Sequence, residues 1–135
     1  MTPPALELSK TIDRRSISGP LLRMFFRVAH SWRLSNDEQM CLLGLTAPST
    51  FFKWKKEMDV ALPRDTIERI TYVINIYGSL EKLFRDEEVR HRWVREDNSA
   101  IVFNGRSALA KMLSGHVRDL FLVQRYLNQQ TSGAV

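Results

Sequence analysis

From Ser18 onward, apolar residues recur at helical rather than strand spacing. Leu21, Phe25, Val28 and Trp32 fall three or four apart, leaving Arg23, Arg27 and His30 on the opposite side of the same helix. Ser18 is placed to cap that helix, and Pro20 suits its first turn, where proline's missing amide hydrogen is no loss. A second helix opens at "LSNDEQMCLLG". Ser35 and Glu38 have the spacing of a capping box, Asp37 and Glu38 suit the positive end of the helix dipole, and Leu34 is placed to pack back on Gln39 or Met40. Gly44 falls where this helix must stop, since glycine tolerates the left-handed conformation of a C-cap. A third helix is expected over about residues 47–58, with Thr46 as its cap and Pro48 in its first turn.

The pattern continues to the end of the chain. Asp65 and Glu68 form a second capping-box candidate for a helix through Ile76, and "YGSLEKLF" reads as a glycine turn leading into another helix. "DEEVRHRWVRE", "SALAKML" and "HVRDLFLVQRYLNQQ" are three more, followed by a frayed "TSGAV". No segment alternates with a period of two over strand length, and "AIVFNG" reads as an extended loop. There, Phe103 is expected to plug the local core, Gly105 to allow a tight turn and Ser107 to cap the next helix. Residues 1–17, with two prolines and no sustained periodicity, read as a flexible arm. The fold class is all-α.

Two short helices joined by a glycine turn, the second rich in lysine and small polar residues, have the form of a helix-turn-helix. At about 100° per residue, Phe51, Trp54 and Met58 share one face of the second helix. Ser49, Lys53 and Lys56 share the opposite face, with Phe52 at its edge. The lysines there suit phosphates or guanine acceptors, Ser49 and Thr50 near the helix start suit base edges or backbone oxygens, and Arg23 and Arg27 suit flanking phosphate. The same pattern also occurs in helical proteins that never touch DNA, where a lysine stripe is only a solvated face. The turn through "LTAPS" places Gly44 and Trp54 ten residues apart, one more than is usual in this motif.

Charge and composition add limits. The net charge of +5 is spread evenly, with nine basic against six acidic residues over 1–60 and eleven against nine over 61–135. It favours an anionic partner without supplying a basic tail. A single cysteine, Cys41, rules out an internal disulfide. The opening "MTPPALELSK" lacks the layout of a signal peptide and no apolar run is long enough to span a bilayer, so a cytoplasmic protein without a membrane partner is expected. His30, His91 and His116 have no cysteine or carboxylate neighbours at metal-ligand spacing, and no glycine-rich phosphate loop is present. No metal site, cofactor or enzymatic activity is expected.

The second half carries a more specific signal. Leu83–Phe84, Trp93 at the end of its helix, Asp97–Asn98, "FNGRSALAKM" at 103–112, Gly115 and the closing "VQRYL" follow the helix-turn-helix in order. Over about residues 35–127, the chain resembles the Xre/MbcA/ParS-like antitoxins of bacterial toxin–antitoxin pairs. It departs from them at Asp97–Asn98, where Pro-Asn is common, and at Ser107–Ala108–Leu109, where proline commonly takes the middle place. Alanine is an acceptable substitute at a first helical position. The resemblance implies a helix-turn-helix part for DNA binding and dimerisation over 18–78, followed by a small helical toxin-binding domain with a C-terminal tail over 79–135. It implies a cognate toxin, with a RES-domain enzyme that consumes NAD the expected one, neutralised by covering or entering its active site. It also implies operator DNA bound by a homodimer or a larger toxin–antitoxin assembly. Asn104, Arg106, Arg125, Tyr126, Asn128 and Gln129 are the candidate toxin contacts, Arg and Tyr being the types that most often anchor interfaces. A stand-alone transcription regulator and a protein-interaction module without DNA binding are the competing readings.

Overall fold

The computed structural model describes residues 14–132, and every regular element in that span is helical. Helix α1 runs Arg14–Ser31, α2 Asn36–Leu43, α3 Pro48–Glu57, α4 Arg64–Leu83, α5 Glu87–Arg95, α6 Ala108–Met112 and α7 Val117–Ser132. A 3-10 turn at Ile101–Phe103 interrupts the connection from α5 to α6. An isolated antiparallel bridge between Asp97 and Ser107 closes the two ends of that connection.

Helix α4 is the axis of the molecule, packed against α1, α2 and α7. Its buried Thr66, Ile70, Val73, Ile76, Ser79 and Leu80 recur at intervals of three and four, the apolar stripe a core-facing helix needs. Ile70, Val73, Ile76 and Leu80 join one hydrophobic core with Leu22, Phe25 and Trp32 from α1, Leu42 and Leu43 from α2, Phe51 from α3, and Leu120, Val123 and Leu127 from α7.

Several expected boundaries move. Helix α1 is already formed at Arg14, so part of the arm expected over 1–17 is helical, while residues 1–13 lie outside the described span. Ser18 is therefore not a cap. It is fully buried inside α1, and its hydroxyl accepts the Leu62 amide at 3.1 Å. Pro20 sits within the helix on its exposed side. The buried face of α1 is Leu22, Phe25, Val28, Ala29 and Trp32, with Leu21 only half-buried.

The Ser35 capping box forms as expected. Its hydroxyl accepts the Glu38 amide at 3.1 Å, and the Glu38 carboxylate accepts the Ser35 amide at 2.8 Å. Gly44 ends α2 with φ 76°, and a side chain there would lie 2.8 Å from Nε of Arg69. Thr46 does not cap α3: the cap position is Ala47, which makes no side-chain bond. Met58 has φ 63° and closes α3 instead of extending it, its amide bonding the Trp54 carbonyl at 2.9 Å.

Pro63 precedes α4, so the second capping box is absent, and the Asp65 carboxylate instead pairs with Arg69 at 2.8 Å. Gly78 breaks nothing, because α4 passes through it to Leu83. A helix interior tolerates one glycine at about 1 kcal/mol, and the stripe through Ile76, Ser79 and Leu80 keeps the helix on the core. At the C-terminus α7 continues through Thr131 and Ser132, whose hydroxyls donate to the Asn128 carbonyl at 3.0 and 2.8 Å. Residues 133–135 lie outside the described span.

Candidate interaction surfaces

The α2–α3 pair has the divided surface that the spacing predicts. Phe51 and Trp54 are buried and Met58 is half-buried, while Ser49, Phe52, Lys53 and Lys56 are exposed and Thr50 is half-exposed. The connection covers residues 44–47, within the three-to-four-residue turn of a helix-turn-helix. Pro48 opens α3 and no side chain caps it; the Thr50 amide donates to the Ala47 carbonyl at 3.1 Å.

The structure separates the two arginines expected to flank this face. The Arg23 guanidinium lies beside Gly19, near the Met58 carbonyl at the end of α3. Arg27 instead lines a cavity of about 210 Å³ between α1 and α4 with Met24, Val28, Ile74, Tyr77, Gly78 and Glu81. Sequence reading missed Lys55, whose ammonium lies 5.9 Å from the Phe26 ring centre and 5.7 Å from that of Phe51. Lys55 also borders a groove of about 420 Å³ lined by Phe26, His30, Arg33 and Gln39. Phe51 is its neighbour one turn back on α3, but Phe26 and the groove residues come from α1 and the region of α2, which local pattern does not reveal.

The second surface is built around the loop from Asp97 to Ser107. Phe103 is 2% exposed and packs edge-on between Trp93, centroids 5.9 Å apart, and Tyr126, at 5.2 Å. Asn104 and Gly105 both take positive φ, 53° and 81°, giving the tight turn. Asparagine is one of the few side chains that tolerates this conformation. The Ser107 hydroxyl then accepts the Ala110 amide at 2.9 Å and starts α6, as expected of Phe103, Gly105 and Ser107.

Asn104 and Arg106 are exposed and line a cavity of about 200 Å³ with Val102, Lys111, Ser114 and Asp119. Hydrogen bonding from the Ser114 hydroxyl holds the Asp119 carboxyl below the usual range; burial opposes this, and Lys111 and His116 assist it. Lys111 lies 3.4 Å from that carboxyl. Arg125, Asn128 and Gln129 share an exposed strip of α7, whereas Tyr126 is half-buried and braces Phe103. The residue that sequence reading missed here is Ile101. It is 96% exposed at the tip of the 3-10 turn, although an apolar residue in a loop gives no local sign of facing outward.

Two family models match the chain in the same order as these surfaces. The antitoxin Xre-like helix-turn-helix domain matches residues 11–75, and the antitoxin Xre/MbcA/ParS C-terminal toxin-binding domain matches residues 79–133. The chain belongs to the Xre/MbcA/ParS antitoxin family. A protein of Sinorhizobium fredii described as uncharacterized protein y4oB is 43% identical over 133 residues, covering 98% of this chain and 100% of that one.

In this antitoxin, the two matched regions meet between residues 75 and 79, inside α4. The halves are therefore stitched together rather than linked. Arg69 donates to the Gly115 carbonyl at 3.0 Å, Cys41 Sγ to that of Leu113 at 3.3 Å, and Asn75 to Gln124 at 3.0 Å. Arg95 reaches back from α5 to the Trp32 and Arg33 carbonyls at the end of α1, at 3.0 and 2.9 Å. Cys41 is accordingly half-buried at a junction rather than deep in the core. His30 and His91 line one polar cavity with Glu87 and Glu88, yet among the described residues no three His, Cys, Asp or Glu side chains are grouped to hold a metal ion. No described helix is long and apolar enough to cross a membrane.

Proposed function

We propose that this antitoxin represses its own operon through α3 and neutralises a cognate toxin through the surface that joins the Asp97–Ser107 loop to α7. The carrying observation is the division of α3, with Phe51 and Trp54 sealed in the core and Ser49, Lys53 and Lys56 left in water. A helix anchored on one side and cationic on the other fits a major groove, with lysines on phosphate and Ser49 or Thr50 near base edges. Arg23 at the end of α3 extends that cationic surface, while Arg27 serves it only if the DNA follows α1 toward α4. Two copies reading two half-sites complete the reading; the groove at Met24 and Tyr77 on α1 and α4 is the candidate face between them.

The toxin side is assigned to Asn104, Arg106, Arg125, Asn128 and Gln129, with Tyr126 bracing the loop and Ile101 as the apolar point of contact. The resemblance makes a RES-type NAD-consuming enzyme the first candidate, inhibited by occlusion of its active site. The test is co-expression with the protein encoded beside this gene. Growth arrest by the neighbour alone and rescue by this chain support the reading; a harmless neighbour, or one that stays toxic, refutes it. For the DNA half, the full chain is titrated against its own promoter fragment. A shift that weakens steeply with salt and is lost in Lys53→Glu/Lys56→Glu supports operator binding. Rescue without any shift leaves a protein-interaction module.

A further inference from the structure

Phe52 stands among the hydrophilic residues of α3 with half its surface, 50%, in water. Its ring packs edge-on to the buried Phe51 with centroids 5.1 Å apart and planes at 66°. Helical spacing makes Ser49 and Lys56, three before and four after, its surface neighbours, with Lys53 further round the same polar face, and all three are exposed. The outward face of α3 therefore carries an apolar ring along the edge of a polar, cationic strip. Solvation alone asks for no phenyl group at this place, and the core of α3 is already completed by Phe51 and Trp54.

The ligand chemistry that complements such a face combines anionic groups along the strip with a small apolar group at its edge. In the DNA major groove, the thymine C5-methyl is that group, and it is the feature that apolar side chains read; unmodified cytosine presents a bare edge at the same position. We propose that Phe52 is a specificity-determining residue that selects thymine over cytosine in the operator by packing on the C5-methyl. This rests on the DNA-binding reading of α3 and adds a single-group readout to it.

The test replaces each thymine of the promoter fragment in turn by deoxyuracil, which removes only the methyl. Affinities of the full chain and of Phe52→Ala are compared at one salt concentration, and thermal melts confirm that the variant is folded. At one or two positions per half-site, uracil should weaken the parent protein roughly fourfold, the effect of exposing one buried methyl group. Phe52→Ala should not distinguish thymine from uracil there, and Phe52→Leu should keep part of the preference. If no position responds, or if both proteins lose equally at every position, the inference is overturned. It is also overturned if Phe52→Ala turns a dimer into a monomer in sedimentation while thymine dependence stays absent, because the ring then serves a second copy. Absence of any salt-sensitive shift by the parent protein instead refutes the DNA-binding reading itself.

Discussion

Ser18 shows how much one side chain can do that its neighbours do not announce. Ser-Gly-Pro before an apolar run has the form of a helix start, yet the hydroxyl is buried and holds the amide of Leu62, forty-four residues on. Ser18→Ala should strand that amide beside a fully buried leucine. The expected loss is about 1–3 kcal/mol, the cost of an unsatisfied buried donor, read as a lower urea midpoint with unchanged slope. Asp119 offers a pH test at the same scale. Its carboxyl is held below the ordinary range first by the Ser114 hydroxyl and then by Lys111. A group depressed in the folded state adds stability that is complete above about pH 3.9 and is lost as pH falls through the lower value. The stability gap between the parent protein and Asp119→Asn should therefore narrow between urea melts at about pH 5 and about pH 3. The gap at its widest should be about 1 kcal/mol or less, because the Lys111 pair is partly in water.

At the level of elements, two glycines separate what sequence pattern can and cannot tell. Gly44 and Gly78 each follow an apolar helical run, and both read as stops. Gly44 is one, with φ 76° and Arg69 filling the space a side chain would need. Gly78 has no positive φ, and a Cβ there meets nothing within 4 Å. Gly44→Ala should therefore destabilise by more than about 1 kcal/mol, and Gly78→Ala should stabilise by roughly 0.5–1 kcal/mol. Calorimetry should show melting temperatures moving in opposite directions. Ser35→Ala provides a reference loss of about 1 kcal/mol for a cap whose two bonds the spacing foretold. The Asp65–Glu68 spacing is equally good, yet Pro63 takes the cap position and Arg69 takes the Asp65 carboxylate. A capping motif depends on where the chain enters the helix, which spacing alone does not specify.

Across the whole molecule, the two family regions share one core through α4. Leu22 of α1, Ile76 of α4 and Val123 of α7 are each fully buried in the same cluster. A chain ending at residue 78 would cut α4 before Ser79 and Leu80 and remove α7 from its apolar face. We expect the 1–78 fragment to lack a cooperative thermal transition and to bind a hydrophobic dye, whereas the full chain melts in a single transition. A fragment with a sharp, reversible melt would show that the helix-turn-helix half folds alone. If the halves are one cooperative unit, toxin binding at the α7 surface should also raise the melting temperature of the DNA-binding half.

By itself, the sequence determined the all-α class, the α2–α3 motif with its capping box and glycine stop, the buried and exposed sides of α3, and the turn at Phe103–Ser107. These depend on spacing within a few residues, where helix geometry alone decides which side chains meet. Tertiary structure decided the rest: the burial of Ser18, the continuity of α4 through Gly78, the placement of Lys55 over two rings, the diversion of Arg27 toward α4 and the full exposure of Ile101. Each of these depends on a neighbour distant in the chain, or on the absence of one. Local periodicity carries no information about such a partner until the chain has folded.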